Sequence, residues 1–301
     1  MKQTVSIIDM GTNSVLLLIS KQEEHKWKIL HRDARTSSLG KGFNNSMLTE
    51  NAIKRVQNIL ADFINISNKY NCSKIIIVGT SVSREAKNIK RISNWLERNY
   101  FLKLYILSED DEIKYIYLAN QKEFSEFNNM LIFDIGGGST EFILIKNNKI
   151  IAQKSLKIGV RRLNNLFEKT NDKKNYIKKI LTDSHLLDKI NFQFKSIGVG
   201  GTVTNLIAVK KQLKIYIPEQ VHKHILNKSD VDYFTKLWAS ISIDEVKKLI
   251  PFEPLRADVL LSGSLILKEI FKYFSIINIY VSDCGLQFGI LQVLYDTNKF
   301  C

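Results

Sequence analysis

Residues 131–147 read LIFDIGGGSTEFILIKN, and this stretch decides how the rest of the chain is interpreted. An apolar run ends on Asp134, three glycines follow, and a Ser-Thr-Glu triplet precedes a second apolar run. Two apolar runs around a glycine-rich turn predict a β-hairpin. A hairpin needs neither three glycines nor two carboxylates, so the turn has a second interpretation as a place where phosphate and a metal ion bind.

The glycines and the acids of this turn suit that second interpretation. Glycine has no Cβ, so its backbone N–H can approach an anion closely. A carboxylate at the mouth of such a turn can bind magnesium, which takes oxygen ligands. Because three consecutive glycines cost more conformational entropy than a plain turn requires, we favour phosphate binding over a simple hairpin turn.

The start of the chain repeats the same plan. Residues 4–20 read TVSIIDMGTNSVLLLIS, again two apolar runs around an Asp-x-Gly turn. In an alignment of the two stretches Asp9 matches Asp134, and Gly11 matches Gly136. One such match has little weight. Two matches, each flanked by strands and separated by roughly half the chain, predict a duplicated lobe.

Strand and helix patterns alternate along the remainder of the chain, which predicts an α/β protein. We expect one continuous helix over residues 83–100, a helical region over about 161–187, and helices up to about residue 273. The 301 residues agree with two domains. We place them at residues 1–122 and 123–301, with the last helix, about 286–301, as a candidate for packing back on the first lobe.

Two further features, each with a plain structural alternative, are compatible with phosphate binding. Gly200 and Gly201 lie between a predicted strand and a predicted helix, where the N–H groups of a helix start can bind an anion. A close strand-to-helix turn explains them equally well. Arg84 follows a strand at the head of a helix, and its forked guanidinium suits phosphate. A solvated surface arginine is the more common case.

Four consecutive acids, residues 109–112, open another predicted helix after Ser108. Ser108 and Asp111 fit a capping box, and acids near a helix start stabilise its dipole. Capping needs only one or two acids, however, and four repel one another. One of these carboxylates could therefore act as a general base on water.

Charge and cysteine content limit the classes of partner and compartment. The net charge is +14, and residues 146–230 hold 18 Lys or Arg against 6 Asp or Glu. This excess suits a polyanion, although a coding bias towards Lys, Asn and Ile explains it equally well. Cys72, Cys284 and Cys301 lack ligand-like spacing, so we expect a cytoplasmic protein without structural zinc.

Several common site types lack their signatures. The sequence has no G-x-x-x-x-G-K-[ST] loop, no H-E-x-x-H and no G-x-S-x-G. No nucleic-acid-binding motif is present. His222 and His224 form a VHKH stretch without an evident third ligand, so we interpret them as surface residues. We expect no membrane segment, since no apolar run approaches about 20 residues, and no signal peptide, since Asp9 interrupts the first apolar run.

Eight motifs, taken in order, resemble one family. They are IDMGTNS, GTSVSREA, LSEDDE, FDIGGGSTE, GVRRL, GVGGTVTNL, RADVLLSG and SDCGLQFGIL. Their order and types are similar to those of the exopolyphosphatase and guanosine pentaphosphate phosphohydrolase (Ppx/GppA) family, within the superfamily of actin, chaperone ATPases and sugar kinases. The motifs span almost the whole chain. The resemblance implies two actin-like (ribonuclease H-like) lobes with a cleft between them, in the short form of the family without a C-terminal extension.

The resemblance also implies roles for individual residues. Glu112 matches the glutamate that activates water, and Glu141 is a second catalytic candidate. Asp134 and Glu141, together with Asp9, match the acids around the metal, which is Mg²⁺ or Mn²⁺. Arg84 matches an arginine near the phosphate; Arg161 is a weaker candidate. The residues matching the phosphate-binding turns are Gly11, Thr12, Asn13, Ser14, Gly136, Gly137, Gly138, Ser139, Gly200, Gly201 and Thr202. Arg256 and Asp258 match an R-x-D helix start with a structural role.

The chain departs from the family pattern at several positions. Many members have S-G-x-E-E where residues 108–112 read SEDDE, so a glycine is replaced by Glu109 and the first glutamate by Asp111. Ser38 stands where many members carry arginine. Gln287 and Phe288 replace an Arg-Glu pair. The departures therefore leave open which substrate is preferred and whether activity is reduced.

Together, the motifs and the resemblance predict hydrolytic release of orthophosphate from the end of a phosphoanhydride chain, in the cleft between the lobes. Inorganic polyphosphate is the favoured substrate, since the basic stretch suits a long polyanion. Guanosine pentaphosphate is the alternative. A sugar-kinase-like phosphotransferase and a non-catalytic binder of polyphosphate or an alarmone are alternatives of other classes. We expect no specific nucleic acid and no membrane as partners, and leave a homodimer open.

Overall fold

The computed structural model describes residues 3–24 and 26–296 of the chain. Cys301 and the end of the predicted last helix lie outside these residues. The chain divides into two compact units, one made of Met1–Tyr115 with Leu286–Cys301 and the other of Ile116–Gly285. Each unit contains one β-sheet with helices, so the predicted α/β class with two lobes is confirmed.

The first unit is built on a five-stranded sheet of order β3-β2-β1-β4-β5. Strands β1 and β2 form the first predicted hairpin, and β1 pairs in parallel with β4. The strands are β1 (Thr4–Met10), β2 (Ser14–Gln22), β3 (Trp27–Thr36), β4 (Lys74–Gly79) and β5 (Leu104–Ile106). The helices are α1 (Glu50–Lys69), α2 (Ser81–Glu85), α3 (Lys90–Tyr100), α4 (Glu109–Glu123), which ends in the second unit, and α11 (Leu286–Asp296).

The second unit is built on a six-stranded sheet of order β10-β11-β9-β6-β7-β8. Strands β6 and β7 form the hairpin of the opening stretch. The strands are β6 (Met130–Ile135), β7 (Thr140–Lys146), β8 (Lys149–Leu156), β9 (Lys195–Val199), β10 (Ile225–Asn227) and β11 (Asn278–Ser282). The helices are α5 (Val160–Leu166), α6 (Thr170–Asp183), α7 (Gly201–Lys210), α8 (Lys228–Ser240), α9 (Ile243–Leu249) and α10 (Ala257–Tyr273).

The two sheets share one topology, which confirms the duplication predicted from the Asp-x-Gly hairpins. In each, three antiparallel strands lie at one edge, and the first strand of the hairpin pairs in parallel with a strand that follows later in the chain. The central strands β1 and β6 are buried on both faces, as parallel pairing with helical cover requires. The Asp-x-Gly turns lie at the ends of these buried strands.

The core of the second unit surrounds α10. Twelve of the 17 residues of this helix are buried, including Leu265, Ile266 and Leu267 in succession. A helix that is buried over most of its circumference is typical of the centre of a domain. It packs beside α5, α6 and α8, and its residue Gly263 lies against Thr202 at the start of α7.

Two sequence expectations for secondary structure were wrong. The continuous helix over residues 83–100 is broken into α2 and α3. Ala86 is extended, and the Asn88 side chain both accepts from Leu48 N and donates to Leu48 O, each at 2.9 Å. These tertiary hydrogen bonds compete with helix continuation. The helical interpretation up to residue 273 also missed the short strand β10, which pairs with β11.

Among residues 3–24 and 26–296, no helix has the length and apolar character that crossing a membrane requires.

Candidate active site

One oxygen of the Asp9 carboxylate, Oδ1, is buried without a hydrogen-bond donor among the described residues. It lies near the end of β1, opposite Leu16 of β2. Within the described part of the chain, no donor reaches Asp9 Oδ1, which is shielded from solvent. Burial raises the pKa of Asp9 from 3.8 to about 7. A buried oxygen of this kind is stabilised by a proton or by a cation.

The turn after Asp9 is held in place by the rest of the first unit. Gly11 N donates to Ser14 O at 3.0 Å, which closes the hairpin. The carbonyl oxygens of Thr12 and Asn13 accept backbone hydrogen bonds from residues 37, 38 and 40. Thr12 Oγ1 accepts from Val82 N at 3.3 Å. The turn is therefore joined to the first turn of α2, the helix that carries Arg84.

Arg84 and Glu112 are in direct contact. Arg84 lies on α2 and donates from Nη1 to the Glu112 carboxylate and to Leu107 O, the latter at 2.9 Å. The Glu112 side chain is 8% exposed and that of Arg84 is 19% exposed. Because water is largely excluded there, the pair interacts more strongly than a surface salt bridge. The structure thus brings together a predicted phosphate ligand and the predicted base.

The four acids at the start of α4 separate into different environments. Ser108 Oγ accepts from Asp111 N at 3.1 Å and donates to Asp111 Oδ2 at 2.9 Å, which confirms the predicted cap. Glu109 and Asp110 are exposed, whereas Glu112 is buried. Of the four, Glu112 alone combines burial with an arginine partner among the contacts described here. This distinguishes it from the capping acids.

Asp134 and Glu141 face each other across the second hairpin. They are directly opposed in the antiparallel register of β6 and β7, which places both side chains on one face of the sheet. Glu141 is 3% exposed, and its Oε1 accepts from Ser155 Oγ at 2.8 Å. Two opposed carboxylates repel unless a proton or a cation relieves the repulsion. In the first hairpin Leu16 takes the place of Glu141, so only the second hairpin has the pair.

The three-glycine turn of the second unit is clamped from outside. Gly136 N donates to Ser139 O at 3.0 Å. The carbonyl oxygens of Gly136 and Gly137 accept from the first N–H groups of α5, and Gly138 O accepts from Arg162 Nε at 2.6 Å. A Cβ at Gly159 would lie 2.5 Å from the Gly138 backbone. The turn is therefore rigid before any ligand binds.

The strand-to-helix turn at Gly200 approaches Asp134. Gly200 has a φ of +92°, and a Cβ there would lie 2.4 Å from Asp134 Oδ1. The position therefore requires glycine on both conformational and steric grounds. Gly201 begins α7, whose free N–H groups and dipole suit an anion. The second unit thus places Asp134 next to a helix N-terminus.

Arg161 and Arg256 belong to ion pairs that hold the second unit together. Arg161 is 2% exposed and makes two hydrogen bonds to Asp258, at 2.7 and 3.0 Å. Arg256 Nη1 donates to Glu253 Oε1 at 3.1 Å, and its guanidinium fills the space beside Gly201. These contacts position α5 and the Gly200 turn. They support a structural role for Arg161, Arg256 and Asp258.

The departures from the family pattern have their own contacts. Gln287 Nε2 donates to Ile7 O at 2.7 Å and to Leu16 O at 3.0 Å, so its amide binds the backbone of the Asp9 hairpin. The Arg32 guanidinium lies over the Phe288 ring, 5.2 Å from its centroid. Sequence reasoning recorded Gln287 only as a departure. No sequence signal shows that it supports β1 and β2.

In each unit, taken by itself, the hairpin carboxylates suit a magnesium or manganese ion by chemistry. Asp9, Asp134 and Glu141 offer hard oxygen donors, the ligands that Mg²⁺ prefers. Asp9 Oδ1 has no donor within the described residues, and the opposed pair in the second hairpin gains from a cation.

The predicted site residues are divided between the units. Asp9, residues 11–14, Arg84 and Glu112 are in the first, and Asp134, residues 136–139, Glu141 and residues 200–202 are in the second.

Comparisons with known proteins agree with these features. A family model described as the Ppx/GppA phosphatase family matches residues 18–297. A bifunctional 3-dehydroquinate synthase/phosphatase of Fusobacterium nucleatum is 32% identical over 304 residues, covering 92% of this chain. This chain spans 44% of the length of that relative.

In two further comparisons the aligned region covers most of this chain and most of the related protein. Exopolyphosphatase 2 of Mycobacterium tuberculosis is 22% identical over 297 residues, which cover 88% of this chain and 89% of that protein. The crystal structure of an exopolyphosphatase from Cytophaga hutchinsonii superposes with a TM-score of 0.89 at 26% identity, covering 98% of each chain.

Proposed function

The chain belongs to the Ppx/GppA phosphatase family, as its ordered motifs predicted, and on this premise we propose that it hydrolyses the terminal phosphoanhydride bond of inorganic polyphosphate. The observation that carries the proposal is the buried Glu112 carboxylate in contact with Arg84. A base and a phosphate-binding arginine side by side are what attack of water on a terminal phosphate requires.

Glu112 is proposed as the general base. Its carboxylate takes a proton from water while the water oxygen bonds to the terminal phosphorus. The bridging P–O bond breaks, and its electron pair leaves with the shortened chain, so the products are orthophosphate and a polyphosphate shorter by one unit. The proton then passes from Glu112 to solvent. A base held within hydrogen-bond reach contributes about 10²–10⁴-fold to the rate.

The phosphate ligands proposed for this step are Arg84 and the glycine-containing turns. Arg84 offers a fork of N–H donors, and the turns at residues 11–14, 136–139 and 200–202 offer backbone N–H groups other than those of Gly11 and Gly136, which close their own hairpins. Preorganised donors stabilise the charge that develops on the phosphate oxygens. The clamping of the Gly136 turn by α5 supports this role, because a rigid turn needs no reorganisation during the reaction.

Mg²⁺ or Mn²⁺ is proposed at the hairpin carboxylates, Asp134 with Glu141 in the second unit and Asp9 in the first. When bound, the ion would neutralise part of the negative charge on the phosphate. Glu141 is the second candidate for the base, although its hydrogen bond from Ser155 and its opposition to Asp134 favour a role beside the cation.

Polyphosphate is favoured as substrate because of charge. The net excess of 12 positive charges in residues 146–230 attracts a long polyanion more strongly than a compact nucleotide. Guanosine pentaphosphate is the second candidate, supported by the family to which the chain belongs. A cytoplasmic location is proposed from the half-buried Cys72 and Cys284 thiols, which form no disulfide among the described residues.

The test measures orthophosphate release from polyphosphate, guanosine pentaphosphate and ATP side by side. Fastest release from polyphosphate supports the proposal, and fastest release from guanosine pentaphosphate selects the second candidate. A requirement for an added acceptor, with slow release into water, would indicate a phosphotransferase. Calorimetric binding of polyphosphate without any orthophosphate would indicate a binding protein.

A further inference from the structure

Three potential metal ligands meet in the second unit, apart from the hairpin carboxylates. Glu123 is the last residue of α4, His222 lies in the loop before β10, and Cys284 follows β11. One ligand atom from each residue lies within 4.8 Å of the other two. His222 Nε2 and Glu123 Oε2 are 3.2 Å apart. Residues so distant in sequence have no recognisable spacing, and the sequence predicted His222 to be a surface residue.

The protein scaffold holds these residues together without a ligand. Asn120 Nδ2 on α4 donates to Cys284 O at 3.1 Å, which joins the end of α4 to the segment after β11. Asp283 N donates to His222 Nδ1 at 3.2 Å. The Phe124 ring lies 5.8 Å from the His222 ring and supports its other side. The Asn120 hydrogen bond and the Phe124 ring contact therefore keep the three residues close together, whereas the Asp283 hydrogen bond belongs to the metal-free tautomer of His222.

The donor set of sulfur, nitrogen and oxygen selects a type of metal. Zn²⁺ binds thiolate at about 2.3 Å, imidazole at about 2.0–2.1 Å and carboxylate at about 2.0–2.2 Å, usually with tetrahedral geometry. Such bonds place neighbouring ligand atoms roughly 3.3–3.8 Å apart. Ligand atoms already within 4.8 Å reach this separation by small side-chain rotations. Mg²⁺ and Ca²⁺ prefer oxygen ligands and do not suit the thiolate.

Charge and exposure also suit a divalent ion here. At the site itself, the Glu123 carboxylate and a Cys284 thiolate offset the two positive charges of the ion. The Glu123 and His222 side chains are 39% and 21% exposed, so an ion can reach them from solvent. Lys223 Nζ lies 3.6 Å from Glu123 Oε2, so ligation of the ion by this oxygen replaces an exposed ion pair.

We propose that Glu123, His222 and Cys284 form a binding site for one Zn²⁺ ion, with the fourth coordination position open to water. The ion joins the end of α4, the loop before β10 and the segment after β11. This site is independent of the proposed hydrolysis, because its ligands differ from the hairpin carboxylates in position and in chemistry.

The hydrogen bond to His222 Nδ1 determines how the ion binds. Because Nδ1 accepts from Asp283 N, the ring proton of neutral His222 is on Nε2 and points to Glu123. Zinc needs the Nε2 lone pair, so the ring proton moves to Nδ1 and the hydrogen bond from Asp283 N is lost. The proton released to solvent on binding comes from the Cys284 thiol, which ligates as the thiolate. We therefore expect weaker binding than at structural zinc sites with four protein ligands, and release of protons on binding.

Titration with Co²⁺ alone tests the proposal in the full chain after removal of bound metal. Wild-type protein should develop a thiolate-to-cobalt charge-transfer band that saturates at one thiolate-bound Co²⁺ per chain, and Zn²⁺ should abolish the band. Co²⁺ at the hairpin carboxylates would give no such band. Cys284→Ser should remove the band and weaken Zn²⁺ binding by more than about 100-fold. Cys72→Ser is the matched control, since it removes another half-buried thiol. It should leave the charge-transfer band and the affinity for Zn²⁺ unchanged.

A second pair of variants keeps the test decisive if Cys284→Ser does not fold. His222→Gln should weaken Zn²⁺ binding, whereas His224→Gln should not, because His224 Nε2 contacts Lys211 Nζ instead. Absence of the band in wild-type protein would overturn the proposal. So would a band that persists in folded Cys284→Ser, or zinc affinity that falls equally in the two histidine variants.

Discussion

The Arg84 guanidinium donates a hydrogen bond to the Glu112 carboxylate, and the same Nη1 donates to Leu107 O. This contact joins α2 to the first turn of α4 in a place that is largely closed to water. Burial removes most of the solvation of both charged groups. Their contact is therefore held in place, because either charge left buried without its partner would be strongly destabilising. Burial and the arginine partner therefore distinguish Glu112 from the exposed acids at the same helix start.

Glu112→Gln should lower hydrolysis by roughly 10²–10⁴-fold while substrate binding stays near wild type. Glutamine nearly keeps the shape of the side chain but cannot accept a proton from water. Single-turnover phosphate release and calorimetry with polyphosphate measure the two effects separately.

Asp110→Asn is the matched control for Glu112→Gln. Asp110 carries the same charge in the same helical turn but is exposed, so its loss should cost at most about 1 kcal/mol of stability and little activity. Equal and small effects of the two substitutions would defeat the assignment of the base and direct attention to Glu141.

Gly200→Ala should lower both stability and activity. The residue has a φ of +92°, and the new Cβ would lie 2.4 Å from Asp134 Oδ1. We expect about 1–3 kcal/mol of destabilisation from the backbone conformation alone, because a φ of +92° with a ψ of 165° is essentially restricted to glycine, and slower phosphate release because Asp134 must move. Gly285→Ala is the control, because a Cβ there meets nothing within 4 Å. Urea unfolding and phosphate release should distinguish the two variants clearly.

Removal of divalent metal should abolish phosphate release. We expect EDTA to stop the reaction and added Mg²⁺ to restore it, because the hairpin carboxylates need a cation near phosphate. Asp134→Asn should raise the Mg²⁺ concentration required for half-maximal rate. Asp244→Asn, an exposed carboxylate of the same unit, should not. Full activity in chelator would exclude the metal from the reaction.

Binding of long polyphosphate should weaken steeply as salt rises. The positive excess in residues 146–230 interacts with a polyanion whose counterions are released on binding, by analogy with nucleic acids. Calorimetry at several salt concentrations gives the slope of the logarithm of affinity against that of salt. An affinity that stays constant from low to high salt would show that this stretch does not attract the substrate.

Lys173 should make the free energy of unfolding depend on pH in the alkaline range. Lys173 is 8% exposed and donates to Asn164 Oδ1 at 2.6 Å and Ser262 Oγ at 3.1 Å, and burial lowers its pKa below 10.5. The unfolded chain therefore binds this proton more tightly, so stability rises with pH between the lowered pKa and 10.5. Lys173→Met should lose that rise.

The pH slope separates titration of Lys173 from the loss of its hydrogen bonds. Lost hydrogen bonds shift stability by a similar amount at each pH, whereas lost titration changes the slope. Lys178→Met, an exposed lysine on the same helix, should keep the wild-type slope. Chemical denaturation at a series of pH values from neutral to alkaline measures how the free energy of unfolding changes with pH. Identical slopes for wild type and Lys173→Met would contradict the prediction.

The sequence by itself determined the two Asp-x-Gly hairpins, the duplicated topology, and the cap of α4 by Ser108 and Asp111. These features depend on residues close together in the chain. Alternation of apolar residues, glycine in turns and an N-cap three residues before its partner are local patterns, so they can be recognised without a tertiary structure.

Only the tertiary structure decided which acid of the run at residues 109–112 is buried against an arginine. It also decided that Asn88 breaks a predicted helix by binding the Leu48 backbone, and that Asp134 approaches Gly200. The physical reason is that each of these contacts joins segments that are distant in sequence and adjacent only after the sheets and helices have packed. The same reason explains why His222 had no visible third ligand in the sequence, although Glu123 and Cys284 lie beside it in the fold.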